Sequence, residues 1–456
     1  MKTHSALRWL ATMCLLSLLS VYRLAAGTTP TNNPGAPLST WIVTNSIPAT
    51  NELTFKEFLN EVAEANLDYA SQRYNVDISK AAIVIAKEFP NPTLNLGENH
   101  ELRFQGKDVN GVSQSEPEAY SIGVAQTVLL GGKRKWGIRV ATENFHAAAA
   151  TLEDFLRNLK LDASEAFITA LAAQRALEQQ RKTTDYLNQL VTVQNHRFKA
   201  GDIGETDLTQ SRVDEMQSES DLLNAKNDAQ VAQRALNNFL GRNRGRTLLI
   251  LRGKLEYEKR IFDLNHLLAD ALQNRPDLIA LRHSRDSTQS GVRLAKANRV
   301  PDVTAGVNYT YSTATENFVN PTPSLDYLGV SLSFPLPLWN RNKGEIATAR
   351  FLTEQAQKQL ESAELKAEVQ VQTALTTYEY MQDRVKKFEG DLLKGADDVL
   401  AAKRYSYEHG NSTLDDLIMA QNADNDIHQS YNDALADAAK ALIELERATG
   451  LWDVEF

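Results

Sequence analysis

From Lys133 to Lys199 the chain runs for 67 residues with no proline and a single glycine, Gly137. Ala, Leu, Glu, Gln, Lys and Arg dominate it, the residue types that lose least on entering a helix. At 1.5 Å per residue such a helix is roughly 100 Å long. Helices of globular domains average about 11–12 residues, so a compact core is no explanation for this one. A rod of that length must bury a stripe against other rods. Leu159, Ala163, Ala166, Ala170, Ala173 and Leu177 supply one, stepping 4, 3, 4, 3, 4 in a heptad rhythm, and its alanines allow close approach. A second run of the same kind spans Lys343 to His409. Taken alone, the two runs would also suit a pair of elongated coiled-coil spacers.

The runs belong to a duplication. Leu53-Thr54-Phe55 answers Phe262-Asp263-Leu264, Ala86-Lys87 answers Ala295-Lys296, and Pro92 answers Pro301. Gly201 answers Gly410, Asp207-Leu208 answers Asp416-Leu417, and Gly241 answers Gly450, each pair 209 residues apart (410 − 201 = 209). A period this long exceeds any solenoid unit and points to a whole structural unit copied once. The first copy is expected over 51–241 and the second over 263–450, with a linker at 242–262 and a short tail at 451–456.

Each copy opens on a helical pattern. In the first, Thr54 is expected to cap a short helix with Glu57 completing a capping box, and helical pattern continues to about Phe89, where Pro90 and Pro92 stop it. In the second, Asp263 caps, Pro276 marks a kink or boundary, and helix runs to Arg299. Two alternating segments follow in each copy: 93–104 and 118–130, then 303–313 and 325–334. One face carries Leu94, Leu96, Leu102, Phe104, Tyr120, Ile122, Val124, Val128, Val307, Tyr309, Tyr311, Leu328, Val330 and Leu332. The segments 105–117 and 314–326 between them are loops. Each long run then starts, turns at Gly201 or Gly410, where a left-handed residue suits a helix C-cap, and returns over about 205–240 or 412–449. The rods are therefore antiparallel hairpins.

Strands of this length with one apolar and one polar face fit a membrane barrel wall, and a soluble β-sandwich wall would look the same. Four strands cannot close a barrel, and open edges are not tolerated in lipid. Either the strands lie outside the membrane or several chains pool them; three chains would give twelve.

The N-terminus reads as a secretory signal over 1–27: Lys2 and Arg8, an apolar stretch from Trp9 to Val21, and Ala25 and Gly27 before a cleavage at Thr28. Residues 28–50 form an extended Thr-, Pro- and Asn-rich segment. The net charge is −9 for the full chain. Loss of Lys2, Arg8 and Arg23 makes it −9 − 3 = −12, and also removes Cys14, the one cysteine. Disulfides and thiolate sites are then excluded. The acidic balance argues against a nucleic-acid partner. No G-x-S-x-G, H-E-x-x-H or phosphate-binding loop occurs, so neither an enzyme nor a cofactor is expected. His196, His409 and His428 are scattered and read as solvated surface positions rather than metal ligands.

Four signatures together carry a resemblance: Pro90-Asn-Pro92-Thr-Leu, Gln126-Thr-Val-Leu-Leu-Gly-Gly-Lys-Arg134, Phe198-Lys-Ala-Gly201 with Asp207-Leu208, and Phe334-Pro-Leu-Pro-Leu-Trp-Asn-Arg341. Over nearly all of the chain beyond the signal, the sequence resembles the TolC-type outer-membrane efflux ducts, and most of all the branch serving cobalt–zinc–cadmium resistance. The resemblance implies a mainly α fold with a transmembrane β part. Four strands per chain would contribute to a trimeric 12-stranded barrel in the outer-membrane lipid, and the helical hairpins would form a periplasmic tube. The homotrimer would be a passive channel working with a periplasmic adaptor (membrane fusion) protein and an inner-membrane pump of the RND type. By the same resemblance Asp416 falls where an aspartate ring narrows the closed entrance, with Asp207 its repeat mate; one turn further on, where the family carries a second gate aspartate, this chain has Met419. The turns holding Gly201, Asp202, Gly204, Gly410, Asn411 and Ser412 would dock the adaptor. The alternatives are the same duct serving drug efflux or protein secretion, and a periplasmic coiled-coil scaffold with a small soluble β-domain.

Overall fold

The computed structural model describes residues 52–99, 118–241, 250–253, 255, 260–314 and 323–451. The signal at 1–27 with Cys14, the segment 28–50, strand residues 100–104, the loop 105–117, most of 314–326 and of 242–262, and residues 452–456 lie outside them.

The first copy comprises β1 (Glu52–Thr54), α1 (Phe55–Ala65), α2 (Leu67–Lys87), β2 (Thr93–Asn99), β3 (Ala119–Val128), α3 (Lys133–Ala200) and α4 (Glu205–Phe239). After β4 (Ile250–Arg252) come α5 (Leu264–Asn274), α6 (Pro276–Ala297), β5 (Val303–Ser312) and β6 (Leu325–Ser333). The second long run follows as α7 (Lys343–Lys387), a π-helical turn (Phe388–Leu392) and α8 (Leu393–Glu408), and α9 (Leu414–Thr449) closes the copy.

Thr54 caps α1 with the reciprocal Glu57 contact of a capping box, and Asp263 caps α5 by accepting from His266 N. The helical pattern from Thr54 to about Phe89 is divided into a short helix, α1, and a longer one, α2. Asn66 breaks it: its side chain accepts from Tyr69 N at 2.9 Å to cap α2, and its Nδ2 donates to Phe239 O at 3.2 Å. Arg275, 209 residues on, takes the same extended backbone between α5 and α6, and its guanidinium donates to Ala448 O at 3.1 Å. Phe239 and Ala448 are themselves repeat mates (448 − 239 = 209). In both copies, then, the residue that breaks the short helix also satisfies a carbonyl at the end of the return helix, where intrahelical donors run out. Different side chains perform one task. The run 343–409 is likewise not uniform. Its π turn contains Gly390 and presents Glu389 to Tyr431, whose hydroxyl donates to Glu389 Oε1 at 3.0 Å.

Helix neighbours change along the length of the long helices. Beside the strands the order is α2–α3–α6–α7; toward the hairpin turns it is α4–α3–α9 with α7 and α8. The heptad seam and the buried face of α3 coincide only in part: Leu159, Ala163 and Ala170 are buried, while Ala166, Ala173 and Leu177 are half-buried. Ala163, Ser164, Phe167, Ile168, Ala170 and Leu171 are all buried, a wider band than one stripe, because α3 has neighbours on several sides. The largest core joins both copies: Phe55 and Phe58 of α1, Phe167 and Ile168 of α3, Leu236 of α4 and Ile443 of α9. Leu53 of β1 and Leu251 of β4 pair in parallel at its margin, a contact the sequence did not announce.

The remaining strands form one antiparallel sheet in the order β2-β3-β5-β6, so that the two copies meet at β3–β5 and both outer edges lack a partner among the described residues. Its register sorts the two faces. Leu94, Val124, Val307 and Val330 form one row across the strands, and Leu96, Ile122, Tyr309 and Leu328 the next, all exposed. The opposite face carries Asn95, Gly123, Asn308 and Gly329, then Gly97, Ser121, Thr310 and Tyr327. The sheet turns into α3 through Gly131 and Gly132, both at positive φ, and into α7 through Asn342, also left-handed. A Cβ on Gly131 would lie 2.9 Å from Ala297 O, so only glycine fits that close approach. Among the described residues no helix is long and apolar enough to cross a membrane.

Candidate functional site

At the far end of the hairpins the two turns are built alike. Gly201 (φ 85°) donates to Phe198 O at 3.0 Å while Asp202 N donates to Arg197 O at 2.9 Å. Gly410 (φ 73°) donates to Tyr407 O at 3.1 Å while Asn411 N donates to Ser406 O at 2.8 Å. Both are Schellman caps, in which a left-handed residue lets two successive amides satisfy the last carbonyls. A Cβ at either glycine would meet open space, so backbone conformation alone demands glycine there. Gly204, by contrast, has ordinary extended backbone (φ −77°) as the N-cap of α4.

Asp202, Gly204, Asn411 and Asp207 are exposed, and Ser412 is half-buried. Asp207 and Asp416 each lie in the first turn of a return helix, where the helix dipole favours acids, and each precedes a buried leucine, Leu208 or Leu417. Asp416 is the more constrained. Its Oδ2 accepts from Ser412 Oγ at 3.0 Å and lies 3.6 Å from Lys403 Nζ, and its amide donates to the N-cap Thr413. The Ser412 hydrogen bond, the Lys403 charge and the Thr413 contact hold its carboxyl below the usual range.

The hairpins are joined just above these turns. Leu187 and Leu190 of α3 pack on Leu414, Leu417 and Ile418 of α9. Tyr407 of α8 receives hydrogen bonds on its hydroxyl from the buried Gln194 and, at 3.0 Å, from Arg197, both on α3. Arg197 also lies over the Tyr407 ring, 5.3 Å from its centroid. These contacts between copies span more than 200 residues of sequence and leave no local signal.

His409 and His196 are exposed. His428 departs from the solvated position expected for it. It is half-buried on α9, one turn beyond Asp424, and its Nε2 lies 3.1 Å from Oδ1 of Asp397 on α8 and 3.8 Å from Oδ1 of Asp424. Burial pushes the Asp424 carboxyl up and the neighbouring Asp397 adds to this, against the pull of His428 and Arg404. The i,i+4 spacing of Asp424 and His428 is visible in the sequence. Asp397 joins them because the turn at Gly410 folds α8 back along α9, 13 residues before that glycine where Asp424 is 14 after it.

The model of the outer membrane efflux protein family matches the chain twice, over residues 58–242 and 267–451, and the two matches begin 209 residues apart. Over 402 residues the chain is 23% identical to the cobalt-zinc-cadmium resistance protein CzcC of Cupriavidus metallidurans, covering 88% of this chain and 91% of that one. Among solved structures, the outer membrane protein VceC of Vibrio cholerae superposes with a TM-score of 0.70 at 16% identity, covering 87% of this chain and 96% of that one. The CmeC outer membrane channel of Campylobacter jejuni superposes with a TM-score of 0.70 at 14% identity, covering 87% and 86%. The strand pairs and paired hairpins of both copies fall within the matched segments: the chain belongs to the outer membrane efflux protein family and is an outer-membrane efflux channel.

Proposed function

We propose that three copies of this chain close one twelve-stranded barrel in the outer membrane and continue it inward as a tube of helices. The tube is a passive duct. An inner-membrane pump of the RND type, coupled through a periplasmic adaptor, supplies the drive, and heavy-metal cations are the cargo. The two-faced sheet carries this reading. Its exposed rows of Leu, Ile, Val and Tyr suit lipid, its Asn, Gly, Ser and Thr rows suit a wet lumen, and its outer edges, unpaired among the described residues, need partner strands before lipid can surround them. The metal cargo rests on the likeness to CzcC. Fractionation tests the barrel: the protein is expected to stay with outer membranes until detergent is added, and release by osmotic shock would favour the scaffold alternative. Loss of the chain should sensitise cells to metals more than to drugs; the reverse pattern would reassign the cargo.

The adaptor docks, in this reading, on the turns holding Gly201, Asp202, Gly204, Gly410, Asn411 and Ser412, which are small, polar and fixed by their caps. Asp416, with Asp207 beside it in the repeat, rings the closed entrance and gathers cations there. Opening requires α8 to part from α3, which breaks the Tyr407 contacts with Gln194 and Arg197. In single-channel recordings Asp416→Ala is expected to weaken block by divalent cations and reduce cation selectivity. Unchanged block and selectivity would remove Asp416 from the gate.

A further inference from the structure

We propose that Asp397, Asp424 and His428 form a binding site for one divalent transition-metal cation of the zinc kind, clamping α8 to α9 within the second hairpin. Each residue offers one ligand atom, and the three atoms lie within 4.8 Å of one another. A tetrahedral shell with bonds of about 2.0–2.1 Å has ligand–ligand edges of roughly 3.4 Å. The His428 Nε2 distances of 3.1 and 3.8 Å to the two aspartate oxygens bracket that edge, so small side-chain adjustments suffice. The site lies about 20 Å above the turn at Gly410, from 13 residues of helix at 1.5 Å each.

Asp424 is the observation that separates a metal site from an ordinary ion pair. A His428–Asp397 pair would account for those two side chains, which are 31% and 61% exposed. It leaves Asp424 with only a long ion pair to His428, at 3.8 Å. The Asp424 side chain is only 7% exposed, and its Oδ1, the atom turned toward His428, makes no hydrogen bond. A buried carboxylate oxygen without a donor is costly, and a bound cation is one of the few things that relieves it. Arg404, the nearby cation whose charge Asp424 feels, lies over the Tyr186 ring, 4.3 Å from its centroid. One imidazole and two carboxylates suit zinc and its first-row neighbours better than a soft ion that needs thiolates. Metal binding takes the His428 ring in its neutral form, with Nε2 as ligand in place of its contact with Asp397. This site stands apart from the cargo of the duct, because it would bind whether or not the ion passes through.

The test is calorimetric titration of zinc chloride into the full chain, purified in detergent and stripped with EDTA. One zinc per chain is expected, with at least tenfold weaker binding in Asp397→Asn and Asp424→Asn and none of that loss in His409→Ala at the nearby turn. Asp397 is largely exposed, so its variant folds even if Asp424→Asn does not. Cobalt(II) in place of zinc should give the visible absorption of a tetrahedral centre in the wild type, lost in His428→Gln. Absence of zinc binding, or zinc binding and a cobalt spectrum unaltered in Asp397→Asn and His428→Gln, would overturn the site and leave the duct reading untouched.

Discussion

Phe167→Ala is expected to lower the stability of the protein by about 3–5 kcal/mol, the usual cost of truncating a fully buried phenylalanine. Phe167 has no exposed surface, and its ring lies 5.4 Å from that of Phe55 and 5.5 Å from that of Phe58. Those two belong to α1, the short helix tied to β1 and β4. The same core holds Leu236 and Ile443, near the ends of the two return helices. Loss of the ring therefore removes apolar burial at the point where both copies of the repeat meet, and rigid long helices on either side cannot collapse into the space. Thermal unfolding in detergent, followed by helical circular dichroism, should show a midpoint lowered by several degrees. Phe198, near the hairpin turn and 40% exposed, is the control: its alanine variant should shift the midpoint little. Equal shifts at the two positions would mean that the core at Phe167 is not what holds the copies together.

The features legible in the sequence are those set locally or by exact duplication. Lys133 to Lys199 forms one helix because nothing in it breaks hydrogen-bonded continuity, and it stops where Gly201 turns left-handed. The strand faces follow from alternation at Leu94, Leu96, Ile122 and Val124, since side chains on a strand change sides at every residue. The break at Asn66 was hidden, because asparagine is only a weak helix breaker and, besides its local cap on Tyr69 N, it is held by Phe239 O, 173 residues away. Its mate Arg275 is marked only by Pro276 following it. The π turn at Phe388–Leu392 leaves no period in five residues. Strand order across β3–β5 and the Tyr407 contacts to Gln194 and Arg197 join residues too distant for any pattern to link. Asp424 and His428 show their helical spacing, but placing Asp397 beside them needs the hairpin register.

The acid sensitivity of the protein should be concentrated at Asp277. Arg275 grips both of its oxygens, at 3.1 and 2.7 Å, and Leu278 N donates to Oδ1 at 3.0 Å. Arg157 lies 3.5 Å away and spends its remaining donors on Asp154 and on Arg447 O at 2.8 Å. Arg275 and Arg157 thereby tie the start of α6 to the last carbonyls of α9, and both are almost fully buried. Burial alone would raise the Asp277 carboxyl; Arg275, then Arg157 and the Leu278 amide, outweigh it and hold the group below its ordinary value. A carboxyl held low in the fold and near about 3.9 when unfolded contributes its full stability above that value and loses it as pH falls through the folded value. Asp277→Ala leaves two buried guanidinium groups short of a carboxylate, a change that costs about 3 kcal/mol, toward the lower end for a buried pair because Asp277 itself is 30% exposed. Denaturant unfolding in detergent near neutral pH should show that loss. As pH falls below about 3.9 the wild type should begin to lose its advantage, and it should meet the variant only below the lowered folded-state value of Asp277, because protonation removes the same charge that the substitution removes. A difference between the two that stays constant from neutral pH into acid would show that the carboxylate charge is not what anchors α6 to α9.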